Sequence, residues 1–164
     1  MFSGICLFKK GPQDIVYSRY LVQFTLALYI ASGALLLTID RPVDVAIMQS
    51  MLEVGLLSFF IYILVYFFTV PSRFPQTIIA LYGCGTIISC LSFPVIYWIS
   101  ATSQQQSIGV EGVLLLALVV WSFFIMAYIV SKAIDKVMSV SLLITFSYFY
   151  LSYQVVNLLL PVVE

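Results

Sequence analysis

Five uninterrupted apolar runs constrain this chain more than any other feature. They cover residues 21–39, 45–70, 76–100, 112–131 and 137–163, and Glu53 is the one charged side chain inside them. A helix rising 1.5 Å per residue needs roughly 20 apolar residues to cross a hydrocarbon layer about 30 Å thick. Spans of a membrane barrel would instead be about ten residues long and alternate polar with apolar positions. The runs therefore predict an all-α integral membrane protein with five transmembrane helices, forming a single domain over residues 20–164 behind a short segment, 1–19.

Beyond residue 19 the connectors hold every charged side chain except Glu53 and Glu164. They are residues 40–44 (DRPVD), 71–75 (PSRFP), 101–111 (ATSQQQSIGVE) and 132–136 (KAIDK), too short to be domains. Pro42 and Pro75 sit where a first helical turn begins, where a missing N–H leaves no hydrogen bond unmade. Asp40 and Asp44 suit the positive end of a helix dipole. Ala31-Ser32-Gly33 has the small-residue form of a signal-peptide cleavage site, but the apolar run continues past it, as an uncleaved span requires.

Lys9, Lys10, Arg19, Arg73, Lys132 and Lys136 fall on one side of a five-span layout, and only Arg41 on the other. The positive-inside rule then predicts a cytoplasmic N-terminus and an exterior C-terminus, in a cell membrane of the bacterial cytoplasmic kind. Residues 1–19 mix Phe2, Ile5, Leu7 and Phe8 with Lys9 and Lys10, which fits a short interfacial element or a polar lead-in.

Composition excludes several classes of chemistry. With seven basic and seven acidic residues the chain cannot build the positive surface that nucleic acids need. It has no histidine, which removes His-ligated metals and haem, and every nucleophile system that relies on imidazole. Cys6, Cys84 and Cys90 lack a metal-ligand spacing, and three is an odd number for a disulfide framework. No carboxylate pair or phosphate loop is present either. The reading is a protein that is not an enzyme and has no metal or cofactor.

The residues that invite a role lie inside the spans. A charge in hydrocarbon costs roughly 2.5–3.5 kcal/mol on insertion scales, so Glu53 stands out, with Gln49 one turn earlier on the same face. In the fifth span Ser147, Tyr150, Gln154 and Asn157 share a face, and Gln154 and Asn157 fall at about the depth of Gln49 and Glu53. A polar intramembrane cluster of Gln49, Glu53, Gln154 and Asn157 is expected, either as a tie between helices or as a pocket. In the third span Gly83, Gly85, Ser89, Ser92 and Pro94 form a small-faced helix that Pro94 should bend, and Gly83, Gly85, Ser89 and Pro94 are the expected helix-contact residues. The mid-span aromatic residues read as packing, and Tyr17, Tyr20, Tyr97 and Trp98 as an interfacial belt.

The stretch Arg73-Phe74-Pro75-Gln76-Thr77, then Ala80-Leu81-Tyr82-Gly83 and Pro94, resembles the Yip family of five-span proteins that interact with Ypt/Rab GTPases. The likeness is nearest to the family's small bacterial members. It implies the five-helix fold and a role in membrane organisation or assembly, and it brings no catalytic residue. The function expected is thus that of an accessory protein that sits in the lipid bilayer and binds a membrane-protein partner or a second copy of itself. The alternative is a small transporter or channel using Glu53.

Overall fold

The computed structural model describes residues 2–6, 11, 12, 15, 18–102 and 110–159. In chain order the elements are α1 (Phe2–Cys6), α2 (Arg19–Leu37), α3 (Val43–Phe67), a 3-10 turn (Pro71–Arg73), α4 (Phe74–Thr102), α5 (Val110–Ile134) and α6 (Met138–Leu159). There is no strand among the described residues. Helices α2 to α6 are long and apolar enough to cross a membrane. Their outer faces say the same, since Phe24, Phe59, Leu116, Leu143 and Phe146 are each more than 60% exposed. Soluble monomers do not display apolar surface on that scale. The chain is a multi-pass membrane protein.

Local chemistry sets the helix boundaries close to those read from the sequence. Pro42 is the N-cap of α3, one position before the first turn, with Asp44 inside that turn. Pro75 is the second residue of α4, where no intrahelical donor is needed. Helix α5 runs three residues beyond its apolar stretch to Ile134, and Asp135 then adopts a left-handed φ of 49°. Arg73 explains the extension. Its Nη1 donates to Asp135 Oδ2 at 2.6 Å and to the carbonyls of Lys132 and Ala133 at 3.2 and 3.3 Å. A guanidinium at a helix C-terminus satisfies orphan carbonyls and opposes the negative end of the dipole.

The five long helices close into a ring. Helix α2 packs on α3 and α4, α5 on α4 and α6, and α6 on α3, so the circuit runs α2, α4, α5, α6, α3 and back to α2. Hydroxyls inside the spans mostly donate to carbonyls of their own helix, as in Thr25 to Leu21, Thr77 to Arg73 and Thr86 to Tyr82, each at 2.8 Å. That is how polar side chains survive without water. Ser141 and Thr145 of α6 are exceptions, fully buried with no hydrogen-bond partner among the described residues.

Of the N-terminal segment, expected as an interfacial element or a polar lead-in, helix α1 and residues 11, 12, 15 and 18 are described. Helix α1 packs against α4 and α5, with Ile5 and Cys6 in the same core as the spans. Ile15 is buried as well, and its carbonyl accepts from Gln76 Nε2 at 3.2 Å. Gly11 and Pro12 are buried too. The Cys6 and Cys84 thiols are hydrogen-bonded to each other, so α1 reaches the level of Cys84.

Candidate functional site

The ring is solid at one end and hollow at the other. Toward the end marked by Arg73 and Asp135 it is filled by Ile61 and Val65 of α3, Ile78 and Ile79 of α4, and Ile129 and Val130 of α5, all nearly inaccessible. Toward the opposite end the inward positions change to small residues at the same three- and four-residue spacing. Helix α4 passes from Leu81 to Gly85 and Ser89, α5 from Ile129 and Ile125 to Ser122, and α6 from Thr145 and Tyr148 to Ser152. Less side-chain volume at fixed helix spacing leaves space. The result is a cavity of about 400 Å³ to which all five long helices contribute.

Carbon makes most of its wall. Leu57, Leu81, Ile88, Ile125, Met126, Ile129 and Val156 are joined by the rings of Tyr29, Tyr148, Phe149 and Tyr153. Gln49 and Glu53 provide the strongest polar groups, and among the described residues Glu53 is the one charged side chain lining the space. Glu53 lies ten residues into α3, about 15 Å from that helix's start at 1.5 Å per residue. Tyr153 lines the cavity and is also 67% exposed, so the space reaches the molecular surface beside α6.

A short relay holds the carboxylate. Arg41 Nη1 donates to Gln49 Oε1 at 2.7 Å, and Gln49 Nε2 donates to Glu53 Oε1 at 3.0 Å. An amide's two ends are set by its partners. Because Arg41 can only donate, it pins the Gln49 oxygen and turns the NH₂ group toward Glu53. Arg41 thus steadies Glu53 through a neutral group without touching it.

The expected cluster is half assembled. Gln49 and Glu53 meet, whereas Gln154 and Asn157 are exposed on the outside of α6, where Gln154 Nε2 donates to Tyr150 Oη at 3.1 Å. The reason is angular. Helix α6 has two polar stripes, and the inward one is Ser141, Thr145, Tyr148 and Ser152. Gln154 lies two residues past Ser152, about 200° around the helix. Ser147 and Tyr150 share the outward stripe.

The helix-contact residues also divide. A Cβ on Gly85 would come within 2.5 Å of Tyr29 Cε2, so the absent side chain is what lets the α2 ring sit against α4. That ring stacks on Tyr82 at 5.3 Å. Ser58 donates to the Val54 carbonyl at 2.6 Å, so the Tyr82 hydroxyl, also 2.6 Å away, is the donor to Ser58 and ties α4 to α3. Gly83 is buried, Ser89 lines the cavity, and Pro94 is exposed within a helix that continues to Thr102. Cys84, a residue sequence reasoning set aside, lines the cavity and meets Cys6 of α1. Compared with known proteins, the chain matches no family model, no curated protein and no solved structure.

Proposed function

We propose that this protein binds a small amphipathic molecule inside the bilayer, in the cavity enclosed by its five spans, and does no covalent chemistry on it. The single observation that carries the reading is that cavity, about 400 Å³ of mostly apolar space with a fixed carboxylate at one wall. Small-molecule sites share this character: roughly 300–1,000 Å³, apolar walls and a few placed polar groups. The opening at Tyr153 suits a ligand that arrives through the lipid.

The accessory role expected from the Yip resemblance ranks second. Its proposed contact face on α4 is occupied at Gly85 by Tyr29 of the same chain, which leaves less of that face for a partner helix. We keep the orientation given by the basic residues, with the Arg73 end cytoplasmic. Reporter fusions after Arg73 and Lys136 should then read as cytoplasmic and fusions after Asp44 as exterior.

The test of ligand binding is native mass spectrometry of the protein released from its own membranes. The wild type should carry a small-molecule adduct. Ser122→Trp fills the cavity from α5 and should lose it while keeping its helical circular dichroism. A wild type free of adduct, or an adduct unchanged by Ser122→Trp, would overturn the reading.

A further inference from the structure

We infer that the molecule this cavity takes is an organic ammonium, a positively charged nitrogen on an apolar or aromatic body. The inference rests on the ligand-binding reading above and assigns the chemical class. Among the described residues Glu53 is the only charged group on the wall, and neither a lysine nor an arginine lines it. Among the described residues the one ion pair is Arg73 with Asp135, at the other end of the molecule. The Glu53 carboxylate therefore has a neutral amide on Oε1 and no cation in contact.

A half-buried carboxylate within a membrane span, with no cation in contact, is costly, and a ligand that brings one recovers part of that cost on binding. The rest of the wall selects the kind of cation. A metal ion of the calcium or magnesium class wants about six oxygen ligands, and here the oxygens are a carboxylate, an amide and scattered hydroxyls among carbon. Alkylated ammonium groups are recognised instead by aromatic faces, whose negative quadrupole attracts a cation that water holds weakly. Tyr29, Tyr148, Phe149 and Tyr153 line the same space as Glu53. Two of them are braced: Tyr29 stacks on Tyr82, and Tyr148 packs on Phe60 at 4.9 Å. Preformed rings lose little freedom when a ligand arrives.

Arg41 attracts the carboxylate only through space, because its nitrogen bonds the Gln49 amide oxygen and not Glu53. Its role is positional, keeping the Gln49 donor on Oε1.

The experiment uses the full-length protein in lipid nanodiscs and three probes of similar shape: benzyltrimethylammonium, its uncharged carbon isostere neopentylbenzene, and benzylsulfonate. Binding is read by isothermal titration against empty nanodiscs. The ammonium should bind at least tenfold more tightly than the neutral isostere, and the sulfonate not at all. Glu53→Gln should weaken the ammonium tenfold or more and leave the isostere unchanged, which also shows that this variant is folded. Equal affinity for cation and isostere would overturn the ammonium assignment while leaving the cavity a binding site. Tighter binding of the sulfonate would overturn it as well. Failure of all three probes, with no adduct on the native protein, would remove both the assignment and the function it rests on.

Discussion

The two ends of the ring are made by the same five helices and differ in what those helices point inward. At the Arg73 end isoleucine and valine from α3, α4 and α5 interlock, and α1 adds Ile5 and Cys6. At the Arg41 end none of residues 110–124 of α5 is buried, nor any residue of α6 beyond Tyr148. Helix α2 has a single buried residue, Thr25. The contrast teaches that a membrane bundle need not pack uniformly. Stability concentrates where large side chains meet, and a cavity opens where Ser89, Ser122 and Ser152 replace them. In lipid the difference is sharper than in water, because lipid is as apolar as leucine and packing, with a few interhelical hydrogen bonds, holds the helices together.

The strongest test of this division is Gly85→Leu, at the boundary between the ends. Its side chain would enter the space held by the Tyr29 ring, which Tyr82 backs on the other side. Overpacking typically costs about 1–3 kcal/mol, and we expect the upper part of that range. Ser89→Leu, one turn further on, points into the cavity and should leave the detergent melting temperature nearly unchanged. Equal losses for both would mean that the cavity is not available space.

Next in size is truncation. Ile79→Ala at the solid end leaves a void with no way to fill it. Residual cavities cost about 24 cal/mol per Å³, so the loss should be about 1–2 kcal/mol even with the transfer term muted by lipid. Ile88→Ala enlarges a space that already exists and should cost much less. Thermal unfolding of the pair in one detergent decides, and a larger loss at Ile88 would reverse the assignment of the ends.

How much of this was legible beforehand depends on the kind of signal. The five spans were, because a 20-residue apolar run has few alternatives in water or lipid. Gln49 and Glu53 were legible as neighbours, being four residues apart on one helix. The pairing of Glu53 with Gln154 and Asn157 failed because depth along a helix can be counted from the sequence, whereas the inward face depends on which helices flank it. The burial of α1 and the meeting of Cys6 with Cys84 leave no local signature, since they join positions far apart in the chain. The small inward residues that make the cavity were visible on α4, and there they read as a contact face. Ser122 and Ser152 on the facing helices become meaningful only once the ring order is known.

The two arginines of the described connectors sharpen the comparison further. Arg73 caps α5 and pairs with Asp135, which is 65% exposed, so its side chain is held by the helix end more than by the ion pair. Exposed pairs contribute up to about 1 kcal/mol. Arg73→Ala should therefore lower stability by about 1 kcal/mol and fray the end of α5, seen as faster amide exchange at Ala133 and Ile134. Arg41→Ala should barely change stability, since it supports a side chain at the hollow end. Its effect belongs in ligand affinity, and a stability loss matching that of Arg73→Ala would show that the Arg41 end is packed after all.

The smallest effect has the opposite sign. Thr145 is fully buried in α6 at the solid end, and its hydroxyl finds no partner among the described residues. An unsatisfied hydroxyl in a packed apolar setting carries a desolvation cost of about 1–3 kcal/mol, and Thr145→Val removes the oxygen while keeping the branched shape. A gain of about 0.5–1 kcal/mol is expected. Ser58→Ala is the matched control, because Ser58 accepts the proton of Tyr82 and its removal orphans that donor. The two variants should move the melting temperature in opposite directions. A fall for Thr145→Val as large as that for Ser58→Ala would mean that the solid end contains a bridging water serving Ser141 and Thr145, and that even the packed half of this ring is polar inside.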